Sequence, residues 1–71
     1  MQMGATKEMG ERLKRLRLEH CPALSGRAFA QRCGVHYTHL NKIEHGRVAP
    51  SIQTLQKLAA GLALPVSALL E

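Results

Sequence analysis

The chain has 71 residues, with ten Lys and Arg against five acidic residues, a net charge of +5, and only one Phe and one Tyr. That length makes one domain, which buries only about 60% of its unfolded surface, so the core is thin and aliphatic. No apolar stretch approaches the roughly 18 residues that cross a bilayer, and no apolar run follows Met1 to Lys7, so neither a membrane span nor a secretory leader is expected.

Residues 1–7, MQMGATK, read as a flexible N-terminal arm, and 8–71 as the domain. In EMGERLKRLRLEH, Met9, Leu13, Leu16 and His20 fall at helical spacing with basic residues between them, which predicts a first helix over about 8–20. Pro22 then breaks it, because proline lacks an amide proton and restricts the residue before it. Ser25 is placed to cap a second helix, GRAFAQRC, with Phe29, Ala30 and Cys33 inward. Gly34 suits a turn with positive φ. A third helix follows in VHYTHLNKIEHG, with Leu40 and Ile43 inward and Gly46 as its stop. His36 is expected on that same inward side or at the helix start. Ser51 caps a fourth helix, IQTLQKLAAGL, with Ile52, Leu55, Leu58, Ala59 and Leu62 inward. Pro65 opens a short fifth, PVSALL, at its permitted first turn. The fold class is all-α, five short helices with short linkers and no strand signal.

The charge is concentrated. Residues 26–50 hold Arg27, Arg32, Lys42 and Arg47 against Glu44 alone, whereas 51–71 hold only Lys57 and Glu71. A basic middle points to a polyanion, most often nucleic acid. On a wheel of 100° per residue, Thr38, Asn41, Lys42 and His45 lie opposite Leu40 and Ile43, and Tyr37 and His39 flank them. A short polar helix face of this kind fits the DNA major groove.

The same stretch holds Cys33, His36, His39 and His45 within 13 positions. Structural zinc gathers four ligands around one point, whereas His36 and His45 fall on opposite sides of one helix. No metal is expected. Two cysteines permit one disulfide at most, and a reducing, cytoplasmic setting disfavours it. No carboxylate pair, nucleophile triad or phosphate-binding Gly loop is present, so no enzyme and no cofactor is expected. No segment suggests a small-molecule effector site.

Two helices joined by a Gly-containing turn, at about 25–45, have the general form of a helix-turn-helix. The pieces LSGRAFAQRCGV, HYTHLNKIEHGR and PSIQTLQKLAAGL, with GERLKRLRLEH before them, resemble the helix-turn-helix family of the lambda and 434 phage repressors and Cro proteins, over about residues 9–70. The resemblance implies a lambda repressor-like fold that binds double-stranded DNA, regulates transcription and is usually a homodimer. It implies base-facing roles for Tyr37, Thr38 and Lys42, with Asn41 between them. Phosphate contacts are expected from Arg27, His39, His45 and Arg47. It also implies a structural pair, Arg17 with Glu44, bracing the recognition helix. Gly26 stands where the family usually has a Gln that contacts phosphate, and the linker CPA is about two residues longer than the commonest form. Leu64, Val66, Leu69 and Leu70 exceed what a thin core needs and are the expected dimer contact. The rival readings are a protein-interaction module on the same fold and a DNA-binding antitoxin.

Overall fold

A computed structural model describes the backbone of residues 2–70 and the side chains of residues 6–70; Met1 and Glu71 lie outside the described residues. The described elements are α1 (Gln2–His20), α2 (Gly26–Cys33), α3 (Tyr37–Glu44), α4 (Ile52–Leu62) and α5 (Ser67–Leu70). α1 lies against α3, α4 and α5, while α2 packs on α3 and α4. No described helix is long and apolar enough to cross a membrane.

Each short helix is delimited by its own sequence. Ser25 accepts a hydrogen bond from the Ala28 amide at 3.1 Å and so caps α2. Gly34 ends it in the left-handed conformation, φ 74°. The Val35 amide then donates to Ala30 O and the Gly34 amide to Gln31 O, satisfying carbonyls the helix leaves free. Gly46, φ 72°, closes α3 the same way, with Arg47 N–H on Lys42 O and Gly46 N–H on Ile43 O. Ser51 caps α4 through the Thr54 amide at 3.1 Å. The end of α4 departs from this pattern: the left-handed residue is Ala63, φ 59°, where a Cβ is unfavourable.

The core comprises Leu13, Phe29, Ala30, Cys33, Leu40, Ile43, Leu55, Leu58, Ala59, Leu62 and Leu69. α2, α3 and α4 therefore turn inward the residues their periodicity selected, except Ile52, which is 65% exposed at the start of α4. Ile52 sits in the first turn, where the chain has not yet reached the core. Two further expectations are corrected. The first helix begins at Gln2, six residues earlier than its apolar spacing indicated, so residues 2–7 are helical instead of a loose arm. Ala5, Lys7 and Glu8 favour helix without needing an apolar face. A Cβ on Gly46 would lie 2.9 Å from Lys7 Cα, so the glycine allows this first part of α1 to pass close to the loop after α3. Leu69 is 1% exposed and closes the core, so it has no surface to offer a second chain. Beside it, Arg12 Nη1 donates to Leu69 O at 3.2 Å, tying α5 to α1.

An ion pair ties α3 to α1. Arg17 Nε donates to Glu44 Oε2 at 2.7 Å and Nη2 to Oε1 at 3.0 Å, a two-pronged contact from the last residue of α3 to α1. Their side chains are only 10% and 7% exposed. The hydrogen bond to Glu44 raises the Arg17 pKa against the opposing effect of burial, so the guanidinium is held charged. Next to the pair, α1 and α3 meet at Gly10. A Cβ there would lie 2.9 Å from Glu44 O and closer still to Ile43 O.

Cys33 and Cys21 are free thiols. The Cys33 sulfur fills the space beside Gly61, which any larger residue would occupy. Burial pushes its pKa up to about 11, so it packs as an unreactive apolar group.

Three tests follow from these features. Ala63→Gly relieves the left-handed Cβ and should stabilise the domain by up to about 1 kcal/mol, raising its melting temperature by about 4–8 °C per kcal/mol. Glu44→Ala leaves Arg17 buried and unmatched and should cost about 3–5 kcal/mol in urea unfolding, whereas the double change Arg17→Met with Glu44→Leu recovers most of the loss. At pH 8, iodoacetamide should modify Cys21 in the folded protein and reach Cys33 only after unfolding, read by peptide mass; equal labelling of both would contradict the burial of Cys33.

Candidate nucleic-acid interface

The interface is built on α3 because α3 is short and its two apolar residues face one way. Leu40 and Ile43 are buried, which turns Thr38 and Lys42 to solvent and leaves Asn41 and His39 half-exposed. Thr38, Asn41 and Lys42 are free of side-chain hydrogen bonds among the described residues. They form an outward row of one hydroxyl, one amide and one ammonium, whose hydrogen-bonding capacity is open to a ligand.

Arg27 lies at the start of α2 and Arg47 in the loop after α3, both exposed. α2 is joined to α3 only by Gly34, Val35 and His36, which fixes the two helices against each other through the Val35 contact with the core. Cations thus stand on the elements to either side of the polar row. Lys7, expected in a loose arm, is a further cation here. The helical path of α1 brings its backbone against Gly46, next to Arg47, and its side chain is exposed. The signal was Gly46 itself, read only as a helix stop.

The histidines separate by geometry. His36 is exposed and does not face the core. It is the N-cap residue of α3, with extended backbone angles, and its side chain makes no capping bond. A helical wheel does not apply to a residue outside helical φ and ψ, which is why the inward placement fails. His45 places Nδ1 2.8 Å from Asn41 O. A carbonyl only accepts, so Nδ1 donates to it and the ring is held against the last turn of α3. His39 is half-exposed beside Leu40. Among the described residues, no three His, Cys, Asp or Glu side chains come together as a metal site.

Tyr37, the first residue of α3, behaves differently from the outward row. It is half-buried and packs against the core cluster. Its ring also lies back over the start of α2: a Cβ on Gly26 would be 3.0 Å from Tyr37 Cε1 and 4.0 Å from Arg17 Nη1. On the ring sits Arg27, its Cζ 4.5 Å from the centroid. Gly26, Tyr37, Arg17 and Arg27 therefore meet at one corner, where the sequence suggested only a missing side chain.

A separate groove of about 630 Å³ is lined by His20, Cys21, Leu24, Arg32, Gly61 and Leu64, among others. No residue of α3 contributes to it, and Arg32 lies there and not beside α3.

The fold is shared with known proteins. A family model described as a helix-turn-helix domain matches residues 8–71. The chain is similar to a transcriptional regulator of the HTH_3 family from Vibrio cholerae, with a TM-score of 0.87 and 36% identity over 97% of this chain. It spans 38% of the length of that regulator. It is also similar to a restriction-modification controller protein from Aeromonas hydrophila, with a TM-score of 0.86 and 25% identity over 94% of both chains. Among curated proteins no significant match is found. The chain belongs to the helix-turn-helix domain family, and its fold is the one that these transcription regulators share.

Proposed function

We propose that this helix-turn-helix regulator binds double-stranded DNA sequence-specifically, in the cytoplasm, with α3 in the major groove. The observation that carries the reading is the outward row of α3: the side chains of Thr38, Asn41 and Lys42 have no partner among the described residues, on a helix tied to α1 by the Arg17–Glu44 pair. Lys42 suits guanine O6 and N7, Asn41 pairs bidentately with adenine, and Thr38 offers its methyl to thymine. A good bidentate contact supplies about 1–3 kcal/mol of discrimination. Arg27 and Arg47 bind phosphates and set the register, and His39 and His45 add to that set.

A single domain of this size reads few base pairs. A homodimer reads a pseudo-palindrome with half-sites about 34 Å apart. For that contact the proposal keeps Leu70, which is 55% exposed, with the half-buried Leu64 and Val66.

Selection of bound duplexes from a random pool tests this reading. Enriched inverted repeats are expected, and affinity should fall steeply as salt rises, because bound phosphates release their counterions. Lys42→Ala should relax the preference at one base position in each half-site, whereas Arg47→Ala should weaken all sequences alike and flatten the salt dependence by about one ion. A pool without enrichment, with salt-insensitive capture of a protein partner, would instead point to an interaction module.

A further inference from the structure

We propose that Tyr37 is not a base-reading residue but a positioning residue: seated on Gly26, its ring holds the Arg27 guanidinium as a phosphate clamp at the junction of α2 and α3. The proposal rests on the DNA-binding reading above and assigns a different task to one residue within it. Three observations converge. The Tyr37 ring runs back toward α2, so close to Gly26 that a single added carbon would stand 3.0 Å from Cε1. The ring is half-buried against the core, whereas Thr38 and Lys42 on the same helix are exposed. The Arg27 guanidinium lies over the ring at 4.5 Å, within the range where a cation is attracted to an aromatic face. An arginine stacked in this way keeps its N–H groups at the edge of the guanidinium plane, and these can still donate to a phosphodiester oxygen.

The corner also connects to the frame. Arg17 Nη1 would stand 4.0 Å from a Cβ on Gly26, so Tyr37, Gly26 and the bracing arginine share one small volume. The alternative clamp would be a long side chain at residue 26 itself. Glycine there gives up that contact and provides the seat for the ring. The ring in turn restricts Arg27, an otherwise exposed side chain with much rotamer freedom to lose on binding. Phosphate binding at this corner then requires Tyr37 although Tyr37 need not touch DNA.

The chain has one Tyr and no Trp, so the stack can be read directly in the free protein. In proton NMR the Arg27 Hδ resonances should be shifted upfield by the Tyr37 ring. The shift should persist in Tyr37→Phe and vanish in Tyr37→Met. Binding is then measured on the selected duplex and on an unrelated duplex for Arg27→Ala, Tyr37→Met, Tyr37→Phe and the double variant Arg27→Ala/Tyr37→Met. Tyr37→Met should weaken both duplexes equally, by about two- to fivefold. That loss should disappear when Arg27 is already Ala, and Tyr37→Phe should match the parent. Arg27→Ala should lower the salt slope by about one. The inference is overturned by the absence of the ring shift, by additive losses in the double variant, or by a Tyr37→Met change confined to one base position. Should Tyr37→Met fail to fold, Tyr37→Leu with and without Arg27→Ala, together with the ring shift in the parent, decides the same point. Parent protein that binds no duplex overturns the DNA-binding reading and the clamp with it, whereas parent protein that binds but lacks the ring shift or the coupling overturns the clamp alone.

Discussion

The Arg17–Glu44 pair is the constraint on which the rest of the molecule depends. α3 has eight residues and no side-chain cap at its start, and helices that short are marginal on their own. Its conformation is therefore borrowed from its neighbours. Leu40 and Ile43 anchor it to the core, but two apolar residues still leave it free to roll. A fork from Arg17 to both oxygens of Glu44 removes that freedom at the C-terminal end, because a guanidinium and a carboxylate meet in one plane. The same contact resolves an electrostatic conflict. An unpaired carboxylate beside a polyanion would repel it, whereas Glu44 is neutralised by Arg17 and shielded by burial.

That fork is possible only because α1 and α3 approach closely. Gly10 lets the backbone of α1 lie on the last carbonyls of α3, and Gly46 lets α1 continue past the loop. Gly26 does the same for Tyr37, and Gly61 for Cys33. Of these four, only Gly46 has a positive φ. The other three are glycines for lack of room, not for backbone conformation. Their effect is to substitute contact for length, which suits a domain too small for a deep core.

This distinction explains what was legible in the sequence. Ser25, Gly34, Gly46 and Ser51 act through their own hydrogen bonds and φ values, so a local reading finds the helix boundaries they set. Phe29, Leu40, Ile43, Leu55 and Leu58 follow helical period, so the core was legible too. The Arg17–Glu44 pair spans 27 positions in the chain and came from family resemblance, not from any local pattern. Features that depend on tertiary proximity were not legible. The early start of α1 rests on Lys7 passing Gly46. Leu69 looked surplus because the gap it fills is created by α1 and α4. Gly26 looked like a loss because nothing near it in sequence shows that Tyr37 occupies its space.

The interface that results divides its tasks by burial and partnering. Arg17, Glu44 and Tyr37 each have a partner in the fold, and none is fully exposed. Thr38, Asn41 and Lys42 have none among the described residues. Residues already satisfied gain little from a ligand, and moving them costs the contacts they have. Exposed side chains without protein partners exchange bonds to water for bonds to a ligand, a net gain of only about 0.5–1.5 kcal/mol each, but they break no contact of the fold in doing so. Thr38, Lys42 and the half-exposed Asn41 can therefore be substituted while the frame stays fixed. His45 falls between the groups: it is exposed, but its Nδ1 is held by Asn41 O at 2.8 Å. The backbone carbonyl that fixes this ring belongs to Asn41, so the orientation of the His45 ring is tied directly to the position of a residue in the outward row.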